Sequence, residues 1–393
     1  MHPQSIIFLG LGLNQLEYIQ AAKNQGYHLI GFDGNLNAEC RNLCDVSFTE
    51  KINNYETIIN ILKNFDNIIG CVSEQTDNGL ITVGKINSFF DLCGPSLETV
   101  RLIKDKSLQR VKSRKLNINQ PDFISYNSSN NFLDKDNKEF IQKYKKIIIK
   151  PFEGQSSIGV IARENKELLS CDTNSLFNNL SNLSGSDNFL IEQFIEGEDI
   201  SIEGFVYQSN VFILAICTKT KFEDNPMVDK ILKVFPYDKS IHLLELQLAE
   251  KLIRGFSLDN SFFHIEAKKS NNLLSLIEWS PRGCGARLSS ILLSKLYKID
   301  LAKIRIDILK GNHMMPKFQN FNKIGLLQFF NYEINDLDFF HENIKKYTKD
   351  YILYTNNDHL KKKINLTDGR NRAGNIIAIA SRNEIQYLTK FIN

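Results

Sequence analysis

The stretch Ser261-Phe-Phe-His-Ile-Glu266 leads through Ala-Lys-Lys-Ser-Asn-Asn into Leu273-Leu-Ser-Leu-Ile-Glu278-Trp-Ser-Pro-Arg282-Gly-Cys-Gly285. Two apolar runs flank a polar turn centred near Asn272, the pattern of a β-hairpin. Opposed residues of an antiparallel pair lie about 5 Å apart. The spacing therefore predicts Glu266 and Glu278 side by side or one step diagonal. Like charges so placed repel, and a divalent cation between them removes the penalty. An arginine and two glycines follow the second carboxylate at once.

Around this hairpin the chain is ordinary in bulk. Its 393 residues suggest two or three subdomains. Apolar content of 42% and charged content of 24% fit a globular protein. A net charge of +3 makes no case for nucleic acid or a membrane surface as partner. No apolar run approaches the ~20 residues of a membrane span. The opening Met1-His-Pro-Gln-Ser runs into a strand with no basic region or cleavage site, so no signal peptide is expected. Seven scattered cysteines, an odd number without CxxC pairs, argue for reduced thiols and a cytoplasmic location. Cys40-x-x-x-Cys44 is half of a metal motif without a second pair, and buried free thiols are the reading preferred.

Residues 1–95 alternate strands with helices, among them Tyr55–Lys63 and Asp77–Phe89, as in a parallel sheet covered on both faces. One helix is expected from Leu97 to about Lys115, with Ser96 as its N-cap. Residues 127–138 and 172–188, rich in Asn, Ser and Asp, read as loops. Lys146–Lys150, Phe189–Ile195, Asp199–Tyr207 and Val211–Thr218 read as strands, and Leu243–Gly255 as an amphipathic helix. Gly325–Asn393 reads as a small closing α+β unit.

Several motifs carry chemistry. Gly10-Leu-Gly12 after the first strand resembles the start of a dinucleotide fingerprint, with Asp33 at a tolerable distance for a ribose. Gln15 stands where a third glycine belongs, which favours a plain strand-to-helix turn. Lys106 lies on the helix 97–115 and, alone, is a solvated charge. Lys150 ends an apolar strand and precedes Glu153-Gly-Gln-Ser-Ser-Ile-Gly159. Such a small-residue loop suits backbone N–H groups that wrap phosphate oxygens. Glu192-Gln-Phe194-Ile195 precedes Asp199-Ile-Ser-Ile-Glu203, whose alternation puts Asp199, Ser201 and Glu203 on one face. Lys219 and Lys221 suit a substrate-side loop or a solvated one. His264 reads as a structural histidine, Arg370 and Arg372 as a charged turn. Cys284 has no histidine beside it in sequence and is not read as a nucleophile.

The order of these motifs, from about Asp105 to Leu309, resembles the ATP-grasp enzymes, carboxylate–amine ligases of the L-amino acid ligase kind. The 1–95 unit resembles their preceding α/β domain. The resemblance implies an α/β fold, α+β in its catalytic part. An N-terminal parallel-sheet, Rossmann-like domain (1–105) would precede a two-lobed ATP-grasp fold. Its small lobe (106–188) would carry the phosphate loop and its large lobe (189–311) the metal site. A C-terminal subdomain (312–393) would close it. By the same resemblance Lys106 and Lys150 contact nucleotide phosphates, and the loop with Gly154, Ser156, Ser157 and Gly159 closes over them. Glu192 with the Phe194 and Ile195 backbone recognises adenine, and Asp199 holds the ribose. Glu266 and Glu278 bind Mg2+, with Mn2+ as a substitute. Arg282 steadies an acyl phosphate. Ser280 stands where the family usually has an asparagine metal ligand, which puts a second ion in doubt. A homodimer is also implied.

A carboxylate does not react with an amine at neutral pH, because its oxygen is a poor leaving group. Phosphorylation by ATP turns it into an acyl phosphate that an amine displaces. The expectation is an ATP-dependent ligase joining a small-molecule carboxylate, of amino-acid type, to an amine. A nucleotide-binding sensor or scaffold without turnover is the alternative that Ser280 permits. A nicotinamide-dependent oxidoreductase rests on Gly10 and Gly12 alone.

Overall fold

Asn271 and Asn272 hold positive φ values of 46° and 63°. Two left-handed residues in a row make a tight hairpin turn, and asparagine tolerates that geometry. In the computed structural model they join the strands Ser261–Ser270 and Leu273–Ser280 and set Glu266 opposite Glu278. The structure describes residues 3–311, 316, 318–319, 322–331, 337–355 and 366–392.

The first strands, Ser5–Leu9 (β1), His28–Asp33 (β2), Val46–Thr49 (β3) and Ile68–Val72 (β4), form a parallel sheet in the order β3-β2-β1-β4. Helix Leu16–Asn24 connects β1 to β2 and Tyr55–Leu62 connects β3 to β4, a short 3-10 turn at Arg41–Leu43 lies between β2 and β3, and helix Leu80–Phe90 follows β4. The dinucleotide reading does not survive. Asp33 spends its carboxylate on the Leu11 and Asn35 amides, at 2.7 and 2.8 Å. Gln15 reaches across to the Glu74 backbone with both ends of its amide.

A second sheet is antiparallel. Phe123–Asn127 (β5), Lys146–Pro151 (β6), Ile161–Glu164 (β7) and Asn188–Gln193 (β8) run in the order β5-β8-β6-β7. Of the two segments read as loops, 127–138 holds in its last residues the start of the helix Lys135–Lys143, and 172–188 contains the helix Thr173–Ser184. Asp134 and Asp172 cap them through their side chains. Phe177 and Leu180 bury one face of the second, and Gly185 at φ 69° ends it. Tertiary packing overrides the weak helix propensity of Asn and Ser there.

The third sheet is the largest. Glu198–Tyr207 (β9), Asn210–Lys221 (β10), Asp229–Pro236 (β11), Ser261–Ser270 (β12), Leu273–Ser280 (β13), Ile324–Phe330 (β14), Tyr351–Thr355 (β15) and Gly374–Ala380 (β16) run in the order β13-β12-β9-β10-β11-β14-β16-β15. The C-terminal strands thus extend this sheet, with Lys233 opposite Leu326, and do not build a sheet of their own. Helix Leu243–Gly255 packs Leu248, Leu252 and Ile253 against Ile202, Ile265 and Trp279 on one face. Leu292, Leu296 and Ile304 pack against Phe205, Leu232 and Leu327 on the other.

The helix expected from Leu97 to Lys115 breaks at Asp105, which has extended backbone (φ −79°, ψ 109°). Ser96 caps the first piece by accepting from the Thr99 amide. Asp105 caps the second by accepting from the Ser107 and Leu108 amides. The break lets the Lys106 amide donate to the Phe152 carbonyl, so Lys106 starts a helix beside the small-residue loop.

Candidate active site

Register lays out a polar face on the large sheet. Ser201 lies opposite both Cys217 and Glu266, and Glu266 lies opposite Glu278. In the next row Glu203 lies opposite His264, and His264 opposite Ser280. Directly opposed residues share a face, so the acidic alternation of β9 points inward: Glu203 is 1% exposed. Lys219 extends the face from β10.

Two cavities meet there. The first, of ≈ 310 Å³, lies between the antiparallel sheets and is lined by Lys106, Lys150, Glu192, Phe194, Ile195 and Asp199 among others. The second, of ≈ 500 Å³, reaches the segment after β4 through Asp77 and the loop after β13 through Arg282. Glu266 and Glu278 line both, as do Lys219, Lys221 and Ser157.

In the first cavity the charges are lysine-rich. Glu192 is buried between Arg110 Nε, at 2.7 Å, and Lys150 Nζ, at 2.9 Å. Burial pushes its carboxyl up, but Arg110 and Lys150 outweigh that and hold it below the usual range. Lys150 is pushed down, by burial first, against the pull of Glu192. Two cations share one carboxylate, which leaves a surplus positive charge facing the cavity. The Glu192 side chain is therefore turned to cations, and only its backbone is left for recognising a base. Phe194 carries Lys146 Nζ over its ring at 4.2 Å and Lys268 Nζ at 5.7 Å. Asp199 pairs with Lys268 at 2.8 Å.

The small-residue loop is docked. Lys106 Nζ donates to the Gly154 carbonyl at 2.9 Å and lies 3.5 Å from Glu278. Ser157 Oγ donates to the Met227 carbonyl, the Gly369 amide donates to the Ser156 carbonyl, and Gln155 accepts from the Asp77 amide. Ser156 and Ser157 sit at φ 57° and 59°, and Gly159 at 70°. A left-handed non-glycine residue costs of order 1–3 kcal/mol. The anchors at both ends hold that strain.

Between the cavities, Lys219 bonds Glu266 and lies 3.2 Å from Asp229, which Lys221 also approaches at 2.5 Å. Burial raises the Glu266 carboxyl, but Lys219 and His264 bring it well below the ordinary value. His264 Nδ1 lies 2.7 Å from Glu203 and Nε2 3.3 Å from Glu266. Burial lowers its pKa, and Glu203 more than reverses that. His264 therefore sits between two carboxylates, beyond the structural role expected of it.

Glu266 and Glu278 offer the oxygen donors that Mg2+ takes. Ser280 does not join them. Its hydroxyl donates to Asp77 at 2.9 Å, beside Arg282 Nε at 2.5 Å from the same oxygen. Arg282 is thus fixed by the N-terminal domain, and Asp77 and Arg282 stabilise each other's charged forms against burial. The Gly283 amide is also taken, donating to the buried Glu74 at 2.8 Å. Glu74 in turn pairs with Arg305 at 2.5 Å. A Cβ on Gly283 would lie 2.7 Å from Ser289 Oγ, so nothing larger fits. Arg372 stacks on Phe329 at 3.6 Å and donates to the Asp229 carbonyl, whereas Arg370 pairs with Asp368. Asp77, Glu74 and the approach of Cys284 to His264, whose donor atoms lie within 4.8 Å, escape sequence reading.

Two antiparallel sheets clasping a cation-lined cavity, with paired carboxylates at its floor, define a nucleotide-binding architecture of the ATP-grasp type. Residues 144–290 match the family model described as an ATP-grasp domain. The protein carries an ATP-grasp domain and, over nearly its whole length, the ATP-grasp fold. An L-amino acid ligase from Bacillus licheniformis superposes with TM-score 0.75 at 14% identity, over 98% of this chain and 96% of that one. An N5-carboxyaminoimidazole synthetase from Staphylococcus aureus, complexed with ADP, gives 0.75 at 14%, over 99% and 96%. A phosphoribosylglycinamide synthetase from Anaerococcus prevotii gives 0.71 at 20%, over 99% and 97%. No curated protein matches the sequence. No helix among the described residues is long and apolar enough to cross a membrane.

Proposed function

We propose that the protein is an ATP-dependent ligase that joins a small carboxylate of amino-acid type to an amine, releasing ADP and phosphate. The observation that carries this reading is the position of Glu266 and Glu278, opposed on one hairpin and lining both cavities. A nucleotide in the first cavity would place its terminal phosphate at that border. The substrate carboxylate would approach from the second.

The roles follow from charge and place. Lys150, the surplus cation, and Lys106 neutralise phosphate oxygens. The loop 154–159 covers them and excludes water, which strengthens each charge contact. Phe194 and Ile195 receive the adenine, and Asp199 the ribose. Glu266 and Glu278 would hold Mg2+, which supplies charge neutralisation to the phosphates. Arg282, fixed by Asp77, orients the carboxylate so that one oxygen attacks the terminal phosphorus while ADP departs. The amine then attacks the acyl carbon and phosphate leaves. Lys219 balances Glu266 when no cation is bound. A cytoplasmic homodimer is part of the same proposal.

One observation favours a silent nucleotide-binding protein instead: the Ser280 hydroxyl is taken by Asp77. An ADP-release screen over paired amino acids and amines with Mg2+ separates the two. Turnover is expected, and Glu278→Gln should stay folded and lose roughly 10²–10³-fold, the scale of one electrostatic group in a transition state. ATP binding without turnover across the panel would favour the silent protein, and an unimpaired Glu278→Gln would remove the metal assignment.

A further inference from the structure

Glu203, His264 and Cys284 each bring one donor atom to a common point, and the three atoms lie within 4.8 Å of one another. They arrive from three places. Glu203 and His264 face each other across β9 and β12, and Cys284 comes from the loop that leaves β13. We propose that this trio is a site for a divalent transition-metal ion of the zinc type, separate from the ion expected between Glu266 and Glu278.

The donor set is the first ground. Thiolate, imidazole and carboxylate together suit zinc and its borderline neighbours. Magnesium takes oxygen and keeps its waters, so it is the wrong ion for this trio. The second ground is an unused oxygen. Glu203 Oε1 is engaged by Ser201 Oγ and His264 Nδ1, both at 2.7 Å. Its Oε2 is buried and has no hydrogen-bond partner among the described residues. A buried acceptor left without a partner is costly, and more so when charged. A cation bound there removes that cost. His264 Nε2 also lies 3.3 Å from Glu266, so a bound ion would take one ring nitrogen from its carboxylate partner with loss of the proton between them. The fourth coordination position would open to the second cavity, which His264 and Cys284 line. That openness is the mark of an ion able to touch a substrate.

The sequence gives little warning of this site. Cys284 stands 20 positions from His264, and neither sits in a paired-ligand motif.

The test uses the full chain, stripped with a chelator and titrated with Co2+ in the absence of nucleotide. One Co2+ per chain is expected, with a thiolate-to-cobalt charge-transfer band and the visible bands of a four-coordinate ion. Zn2+ should abolish the spectrum, and excess Mg2+ should leave it. Cys284→Ser, at a partly buried position, should lose the charge-transfer band. Glu203→Gln should weaken Co2+ by about 10–100-fold. Cys44→Ser should change nothing. A wild type without the band, a band that survives in Cys284→Ser, or displacement by Mg2+ overturns the proposal. Because no nucleotide is present, none of these results bears on the ligase reading.

Discussion

The two cavities treat buried charge in opposite ways. In the first, Arg110 and Lys150 share the single carboxylate of Glu192, and a positive charge is left over. Around the second, two buried arginines are paired one to one: Arg282 on its wall has Asp77, and Arg305 behind that wall has Glu74. A chamber that receives a polyanion needs charge in reserve. A chamber that must hold a small group in one orientation needs its side chains locked. The surplus belongs to binding and the pairing to geometry, and substitutions should separate them.

The largest effect is expected in the locked chamber. Glu74→Gln leaves Arg305, 3% exposed, without its counter-charge. Removing one partner of a buried pair costs about 3–5 kcal/mol. Urea unfolding should show that loss, and Glu74→Gln combined with Arg305→Met should recover much of it. A single variant as stable as wild type would mean that the pair is not holding the Arg282 loop.

Lys150→Met strikes the other chamber. Glu192 keeps Arg110, so the fold should persist, while ATP loses a charge-assisted contact. A hydrogen bond to a charged group contributes about 1.5–3 kcal/mol, so ATP should bind roughly 10–100-fold more weakly by calorimetry. Unchanged affinity would deny that the surplus charge serves the nucleotide.

A smaller effect, on the order of 2 kcal/mol, lies at the border. Burial pushes Asp229 up, but Lys219 and Lys221 bring it from 3.8 to about 2. Its folded value is the lower one, so its stabilisation is complete above the unfolded value. It is lost as pH falls through that value toward about 2. Acid unfolding should therefore be steeper in wild type than in Asp229→Asn. Parallel curves would show that Asp229 is not held by the two lysines.

The same contrast decides what the sequence discloses. The first cavity is built from short segments with local signatures: a strand ending in Lys150, serines and glycines after it, and a hairpin closed by two asparagines. Strand alternation and turn chemistry bring those groups together, and both are legible one segment at a time. The second cavity is not. Asp77 reaches Arg282 across 205 positions and Glu74 reaches Gly283 across 209. No local pattern marks such pairs. Ser280 shows the consequence, since its place in the motif suggests a metal ligand while Asp77, invisible to the motif, claims its hydroxyl. Helix 173–184 was hidden for another reason: Phe177 and Leu180 override an Asn- and Ser-rich composition only because a sheet lies beneath them. The C-terminal strands read as a separate unit because their pairing to β11 spans a long stretch of chain.

The most direct measurement is a crystal structure of the protein grown with Mg2+ and a non-hydrolysable ATP analogue. It should show the triphosphate running from Lys150 to the border, an ion touching both Glu266 and Glu278, and the base against Phe194 and Ile195. A nucleotide bound elsewhere, or the two glutamates still closed on lysines with no ion between them, would contradict the account.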